Sequence, residues 1–158
     1  MQYLITPLIA VATGGVCALL ARSGMPWFRT LRVPQWPIPA RALAVIWAVL
    51  LAMGAVSAIL AWNATPAEAH SQLAAVYLVN AFLHPAWCYM LFVRHQIGSA
   101  TLDAALMAIG TAVIVLDVYP ASMAAALLVL PLFLWVLFGM YLSFAIFRMN
   151  VRGGPAEG

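Results

Sequence analysis

The stretch ARALAVIWAVLLAMGAVSAILAW, residues 40 to 62, decides the fold class of this chain. No charged residue follows Arg41 before Trp62, and the run reaches the roughly 20 residues that one membrane-spanning helix needs. Four more apolar runs, at 3–21, 73–93, 101–118 and 121–147, have the same character. Together they predict an all-α integral membrane protein, a five-transmembrane-helix bundle.

The overall composition supports this interpretation. Of 158 residues, 66% are hydrophobic and only 7% are charged, and the mean hydropathy is +1.04. A soluble domain of this size cannot hide so much apolar surface. The runs are continuous, whereas a transmembrane β-barrel shows short alternating segments. The five spans use most of the chain, which therefore forms a single membrane domain. Nothing in the composition points to nucleic acid as a partner.

The basic residues predict the orientation. If the spans alternate, all seven arginines fall on one side of the membrane. The N-terminus and the second and fourth connections carry neither Lys nor Arg. Because cytoplasmic loops are enriched in these residues, we expect the N-terminus outside and the C-terminus in the cytoplasm. The arginines are Arg22, Arg29, Arg32, Arg41, Arg94, Arg148 and Arg152.

The first connection, RSGMPWFRTLRVPQWPIP at 22–39, is the only long loop. Its prolines argue against a long regular helix. Its aromatic residues are too apolar for a freely solvated loop, so two interpretations remain open. The segment either lies at the headgroup level, with arginines toward phosphates, or forms a lid over the cytoplasmic end of the bundle. The tail at 148–158 is rich in Gly and is expected to fray.

The third span carries the most informative polar residues. Tyr77, Asn80, His84 and Trp87 follow one another at helical spacing and form one stripe. Asn80 and His84 fall near the middle of the bilayer, where a polar group is costly unless it faces protein or a wet cavity. They are either hydrogen-bonding links between helices or part of a ligand site. Pro85 is expected to free the carbonyl group of Ala81 and to bend the helix.

The second and fifth spans each carry a tryptophan away from the membrane interfaces. Trp47 shares a face with Gly54, and Trp135 shares a face with Phe138. Tryptophan prefers the interface, so these two indoles suggest a pocket wall, although packed or lipid-facing bulk is the alternative. Gly54 opposite a large ring would leave room for a flat ligand.

Other notable residues have structural interpretations. Asp103 is expected in the first turn of the fourth helix, where a carboxylate caps the helix and complements its dipole. Cys17 and Cys88 lie inside spans and are interpreted as inert packing residues, with neither a disulfide nor a metal site. No catalytic triad, phosphate-binding loop or metal cluster is recognisable, so the catalytic residues are unknown and His84 is the only candidate. Two small-residue strips pack helices within the chain or between copies: Ala10, Gly14 and Ala18, and Ala100, Ala104, Ala108 and Ala112.

The ordered set of motifs resembles the TspO/MBR family, the tryptophan-rich sensory and translocator proteins. PLFLWVLFGMYLSFAIFRMN at 131–150 is similar to the family's last helix, P-Y-L-x-W-x-x-F-A-x-x-L-N-x-x-I-x-x-L-N. WFRTLRVPQWPIP at 27–39 is similar to W-Y-x-x-L-x-K-P-x-W-x-P-P. Residues 47–54 are similar to W-x-x-L-Y-x-x-M-G, with one residue fewer, and residues 80–85 are similar to N-x-x-W-S-P. Asp103 falls where the family has an aspartate. The resemblance covers nearly the whole chain.

The resemblance implies a bundle, often a homodimer, with a cavity under the first loop that binds porphyrins, haem precursors and other flat apolar molecules. By motif position, Trp47 and Trp135 match tryptophans that line the cavity, Trp36 matches a loop tryptophan, and Asn80 matches a pocket asparagine. No cofactor is required; a porphyrin or haem-type molecule is expected as the ligand. The expected ligand-binding residues are Trp36, Trp47, Gly54, Asn80, His84, Trp87, Trp135 and Phe138, with Arg32 and Arg41 as a basic funnel for propionates.

The chain also departs from the family pattern. Leucines replace family aromatics at positions 51, 83 and 132, His84 replaces a serine, and Ser143 replaces an asparagine. Phe144 stands where the proposed cholesterol motif needs a tyrosine, so no specific sterol site is expected. The losses indicate a divergent member with a more apolar ligand.

The sequence is compatible with three functions. The first is an intramembrane binding protein or sensor for a tetrapyrrole or another flat hydrophobic molecule. The second is an enzyme acting on that molecule, by light-driven porphyrin degradation or by acid/base chemistry at His84. The third is a transporter or a structural partner, although the five spans show no inverted repeat. Binding is the function that the residues favour.

Overall fold

The computed structural model describes residues 2–35 and 40–151, and in these ranges the chain is helical, with short turns. Five helices are long and apolar enough to cross a membrane, as the sequence predicts. A 3₁₀ turn precedes α3, and a π-helical turn follows it. The elements are α1 Gln2–Phe28, α2 Ala40–Ala64, the 3₁₀ turn Ala67–Ala69, α3 His70–Cys88, the π turn Tyr89–Val93, α4 Ile97–Val118 and α5 Met123–Val151.

The helices run alternately up and down and close into a ring in the order α1, α2, α5, α4 and α3. At one end the Arg32 backbone is hydrogen-bonded to Asn150. At the opposite end the Asn63 side-chain nitrogen donates to the Tyr3 hydroxyl group. Many large apolar side chains, among them Leu4, Phe82 and Leu116, point out of the bundle. Lipid is the solvent that suits such a surface, and the chain is a multi-pass integral membrane protein.

The described arginines lie together at one end of the bundle, as their alternation along the sequence predicts. They belong to the end of α1, the turn between α3 and α4, and the end of α5, which the Arg32–Asn150 and Trp27–His95 contacts hold side by side. Arg41 and Arg152 lie outside the residues whose side chains the structure describes. Which end faces the cytoplasm stays a prediction from the charge asymmetry.

The predicted start of the first loop at Arg22 is wrong, because α1 continues to Phe28 with Pro26 in its last turns. A proline there removes only one helical hydrogen bond, and aromatic contacts support the added turns. Trp27 stacks on His95 with ring centroids 4.0 Å apart, and Phe28 packs against Phe92. The described loop therefore runs from 29 to 35, and the predicted loop tryptophan Trp36 lies outside the described residues.

The predicted capping role of Asp103 is also wrong. Since α4 begins at Ile97, Asp103 lies in its second turn, where the residue is buried with 4% of its surface exposed. The fifth helix is likewise longer than predicted and reaches Val151. The third helix begins at His70 and not at Leu73; His70 contacts the carbonyl groups of Trp62 and Thr65 and so closes the end of α2.

α3 continues through Pro85 to Cys88, and a π turn begins four residues after this proline; the bend expected at Pro85 stays a prediction. In the π turn the Arg94 N–H group donates to the Tyr89 carbonyl group at 3.0 Å, a bond that spans five residues. A π turn widens a helix locally and is frequent at functional sites. Here it carries Phe92 toward α1.

The alanine strip of α4 packs inside the bundle. Ala100, Ala104 and Ala108 are buried, and the close approach of α4 to its neighbours follows from their small side chains. Gly14, in the strip of α1, faces Leu51 of α2. The α4 strip is therefore intramolecular, and the homodimer stays a prediction that rests on the resemblance.

Candidate functional site

A buried amide links α3 to α4 near the middle of the membrane. The Asn80 side-chain nitrogen donates to the Met107 carbonyl group at 3.2 Å and to the Thr111 hydroxyl group at 3.0 Å. The Thr111 hydroxyl group in turn donates to the Met107 carbonyl group. Both side chains are buried, so each needs these partners. Asn80 therefore acts as a link between helices, one of the two roles that the sequence left open for it.

His84 is buried next to Asn80 and has an unsatisfied nitrogen. Its Nδ1 atom lies 2.9 Å from the Asn80 backbone oxygen. A carbonyl oxygen can only accept, so Nδ1 carries the hydrogen and Nε2 presents a lone pair in the neutral ring. That Nε2 atom has no hydrogen-bond partner among the described residues, and only 4% of the residue surface is exposed.

Aromatic rings surround this histidine on the side nearer the loop. The Trp47 ring meets the His84 ring edge-on at 5.4 Å and the Trp135 ring edge-on at 6.4 Å. Trp135 also packs against Phe138 at 5.6 Å. We call Trp47, His84, Trp135 and Phe138 the aromatic cluster. Helices α2, α3 and α5 each supply part of it, as their sequence faces predict.

The two cluster tryptophans are partly buried against the core of the bundle. Trp47 and Trp135 pack on a buried core that includes Leu50, Met107 and Val136. Trp87 lies at the edge of the same core, where its indole N–H group donates to the Ser143 hydroxyl group at 3.2 Å. Ser143, which replaces a family asparagine, thus has a defined partner.

A small cavity of about 90 Å³ lies on the other side of His84, toward the first half of α1. Predicted site residues Gly54, Asn80 and His84 line it, while Trp47, Trp87, Trp135 and Phe138 do not. Ligand pockets usually measure about 300 to 1,000 Å³, so this space does not hold a tetrapyrrole. His84 thus contacts both this cavity and the rest of the aromatic cluster.

Sequence reasoning missed two hydroxyl groups of this region. Thr111 accepts the Asn80 bond, and Thr13 is buried on α1 beside the cavity. A threonine at helical spacing from buried alanines in a span was the available signal. Ser57 of α2 and Tyr77, the first residue of the α3 stripe, are joined by a hydrogen bond of 2.7 Å.

The loop is fastened to the end of α5 by one side-chain amide. Asn150 accepts from the Arg32 backbone N–H group at 3.0 Å and donates to the Arg32 carbonyl group at 2.9 Å. The Arg32 residue itself is exposed. The motif of the last helix contains Asn150, but the sequence alone did not predict this clamp.

Replacing Asn150 by Ala should release the loop. Two backbone groups lose their partners, and we expect amide hydrogens of residues 29–35 to exchange about tenfold faster. Hydrogen–deuterium exchange on the protein in nanodiscs measures this. Unchanged exchange in that segment would contradict the clamp; residues of α4 serve as the internal reference.

Replacing Asn80 by Ala should cost about 1 to 2 kcal/mol of stability, since polar bonds between membrane helices contribute about 0.6 kcal/mol on average and up to about 1.7. Thr111→Val removes the same link from the other side. A double-mutant cycle should therefore show that the two losses are less than additive. Fully additive losses would mean that the two side chains do not interact.

Comparison with known proteins agrees with this architecture. The TspO/MBR family model matches residues 4–149. The chain is 34% identical over 125 residues to the uncharacterized membrane protein YtaB of Bacillus subtilis (strain 168), covering 79% of this chain and 81% of that protein. It is 31% identical over 124 residues to the tryptophan-rich protein TspO of Bacillus cereus, covering 78% and 80%. On these grounds, together with the five spanning helices, the chain belongs to the TspO/MBR family.

Proposed function

We propose that this protein is an intramembrane binding protein for a flat hydrophobic ligand of the porphyrin class, held at the aromatic cluster. The observation that carries the proposal is the Nε2 atom of His84, which has no hydrogen-bond partner among the described residues. A buried acceptor without a partner costs about 1 to 3 kcal/mol, and ionisable groups at this depth are usually functional. A ligand that donates a hydrogen bond to Nε2 would remove that cost.

The neighbouring rings supply the apolar part of the site. Trp47 offers a large, rigid surface beside His84, and Trp135 offers a second one next to Trp47. Their edge-on contact occupies the space between them, so the ligand must separate the two rings. Aromatic pairs are worth only about 0.5 to 1.5 kcal/mol beyond burial, and stacking on a ligand replaces that contribution.

The loop provides the route and the charge. The Asn150 clamp holds the loop at the end of the bundle where α2, the helix of Trp47, begins. Opening of the clamp would expose this end of the helices. Arg32 and Arg41 are proposed to attract the propionate groups of a porphyrin as it enters.

Titration with protoporphyrin IX tests the proposal. We expect saturable binding by the wild-type protein in nanodiscs, followed through the absorbance of the ligand. Trp47→Leu should weaken binding about fivefold, which corresponds to about 1 kcal/mol of lost ring contact. Trp62→Leu is the matched control, since Trp62 stacks on His70 at the opposite end of the bundle.

Equal affinities of the wild type and the Trp47→Leu variant would overturn the site. Binding that follows only the lipid content of the sample would overturn the function, because the ligand would then be in the bilayer. If Trp47→Leu weakens binding less than Trp62→Leu does, the site lies at the opposite end of the bundle, near Trp62.

A second candidate function, acid/base chemistry on the bound ligand, has one specific observation in its favour. The bare Nε2 atom of His84 can accept a proton from a bound molecule. Mass spectrometry of the ligand after incubation would reveal product in the wild type and none with His84→Leu. Recovery of unaltered ligand from the wild type, both in light and in the dark, would contradict this chemistry and leave binding as the only proposed function.

A further inference from the structure

A groove of about 390 Å³ runs along the outer surface of the bundle between α1 and α3. It shares no lining residue with the cavity beside His84. One residue of α1 lines the groove together with five residues of α3 and the π turn, which follow one another at helical spacing and form what we call the groove stripe. These residues are Leu20 on α1, and Phe82, Pro85, Ala86, Tyr89 and Met90 in the stripe. The stripe is about 12 Å long.

The groove is a hollow because small residues lie between large ones. Phe82 and Tyr89 are exposed, whereas Pro85 and Ala86 between them carry compact side chains. Phe82 lies two residues from His84, near the middle of the bilayer, and the other end of the stripe lies toward the arginines. Water does not fill an apolar hollow at this depth, so a lipid acyl chain is the occupant that suits it.

The end of the groove nearer the arginines has a polar, positively charged border. The Arg94 N–H group donates to the Tyr89 carbonyl group at 3.0 Å, which places Arg94 one turn beyond the groove stripe. On the α1 side the Ser23 hydroxyl group donates to the Leu20 carbonyl group at 2.7 Å. Arg94, Ser23 and the neighbouring Arg22 are all exposed. A headgroup above the hollow would therefore meet two cations and a hydroxyl group.

The position of Arg94 is fixed by the residue that follows it. His95 has a φ of 56°, in the left-handed region that a residue with a side chain seldom adopts. This conformation places its ring on Trp27, with the ring centroids 4.0 Å apart. The stack joins the turn after α3 to the end of α1, and so holds the Arg94 backbone where the two sides of the groove meet.

The arginines at this border have no protein counter-charge in the part of the chain that the structure describes. Glu68 and Asp117 lie at the opposite end of the bundle, and Asp103 is buried inside it. Neither Arg94 nor Arg22 forms an ion pair with a described carboxylate. A lipid phosphate supplies the missing charge, since a guanidinium group binds phosphate through two parallel hydrogen bonds and anionic headgroups attract basic residues at the membrane surface.

We propose that this groove binds one anionic phospholipid, with an acyl chain along the groove stripe and the phosphodiester group on Arg94. The Ser23 oxygen keeps a lone pair that accepts from a hydroxylated headgroup such as glycerol. The bound lipid spans α1 and the π turn where Gly24 packs against the Phe92 backbone, and so stabilises that contact. The site does not depend on the porphyrin proposal, and each can fail without the other.

A second copy of the chain suits this surface less well than a lipid. Two copies in one membrane are expected to be related by a two-fold axis along the membrane normal, so each residue of the interface lies at the same depth in both copies. An interface on this groove would bring two Arg94 guanidinium groups to one level without a described carboxylate between them. An anionic lipid removes this repulsion, whereas a second copy adds to it.

The full chain in nanodiscs tests the inference. The discs contain equal amounts of phosphatidylglycerol and phosphatidylcholine with identical acyl chains, and native mass spectrometry counts the lipids that stay on the released protein. We expect one retained lipid per chain, with phosphatidylglycerol favoured about fivefold, the factor expected for one arginine at a headgroup. A phosphatidylglycerol with a photoreactive acyl chain should label residues 82–90 of the wild type.

Charge variants separate the site from the general charge of this end. Arg94→Gln should abolish the preference for phosphatidylglycerol while one lipid stays bound. Arg148→Gln is the matched control, because Arg148 is exposed at the same end but belongs to α5, and it should keep the preference. Ala86→Leu fills the groove and should retain neither lipid. Ala12→Leu, at an exposed position of α1 outside the groove, should bind as the wild type does.

Elution from size-exclusion chromatography as the wild type confirms that the variants are folded, and the photolabelling requires no variant. Equal retention of the two lipids by the wild type would overturn the inference. Loss of the preference with Arg148→Gln as well as with Arg94→Gln would also overturn it, and so would labelling spread evenly over the five helices. If dimers are unlabelled at residues 82–90 and only monomers carry the label, a second copy occupies the groove and the lipid site is wrong.

Discussion

Gly24→Ala is expected to lower the thermal midpoint of the purified protein by about 10 °C, which corresponds to about 3 kcal/mol for a chain of this size. A Cβ atom at Gly24 would overlap the backbone carbonyl group of Phe92 in the π turn. Backbone atoms cannot move aside as the end of a flexible side chain can. The close packing of α1 on α3 therefore requires glycine at this position.

The π turn has little freedom to withdraw from α1. Its backbone is fixed by the bond from Arg94 N–H to Tyr89 and by a second bond from Gln96 N–H to Met90. Any shift that accommodates the new methyl group must also move the Trp27–His95 stack. The strain therefore spreads to the start of the loop, and faster hydrogen exchange at residues 29–35 should accompany the lower midpoint.

Gly15→Ala is the matched control. Gly15 lies in the same helix, but a methyl group at this position would meet no described atom within 4 Å, so only the gain in helix propensity remains. The control should be neutral or slightly stabilising, by up to about 1 kcal/mol. Equal midpoints for the two variants would contradict the contact between Gly24 and Phe92.

His84→Leu is expected to raise the stability of the protein and to weaken its binding of the ligand. It removes a buried nitrogen that has no partner among the described residues, so the free energy of unfolding should rise by about 1 to 2 kcal/mol. It also removes the proposed hydrogen-bond acceptor of the ligand, so the Kd for protoporphyrin IX should rise about tenfold. Greater stability together with weaker binding is the pattern of a functional residue that is kept at a cost to the fold.

His70→Leu is the control with the reverse pattern. The His70 ring nitrogen is satisfied by the carbonyl groups of Trp62 and Thr65, each at 3.0 Å, far from the aromatic cluster. The substitution should lower stability and leave affinity unchanged. If His84→Leu lowers stability instead, the lost Nδ1 bond to Asn80 and the lost contact with Trp47 outweigh the relief at Nε2, and the main support for the binding site is lost.

The spans, their number and their inward faces could be predicted from the sequence because lipid imposes simple rules on length and hydropathy. The stripe of α3 and the positions of Trp47 and Trp135 followed from helical spacing, and both tryptophans pack, partly buried, against the core. Whether the predicted site residues bind a ligand stays a prediction. What the structure adds is the contact of the Trp47 ring with the rings of His84 and Trp135.

The features that the sequence could not supply depend on contacts between distant segments. Pro26 argued for a loop, but stacking of Trp27 on His95 favours helix up to Phe28. The position of Asp103 in its helix depends on where α4 begins, and no residue before Ile97 marks that start clearly. The close approach of Gly24 to the Phe92 backbone depends on how α1 packs against the end of α3, and helix periodicity contains no information on that packing.

The structure of the protein bound to protoporphyrin IX tests the central claim most directly. We expect the porphyrin ring within about 4 Å of both His84 and Trp47, with the Trp47 and Trp135 rings moved apart to admit it. A porphyrin seated on the lipid-facing surface, with the Trp47–Trp135 contact still at 6.4 Å, would contradict the claim.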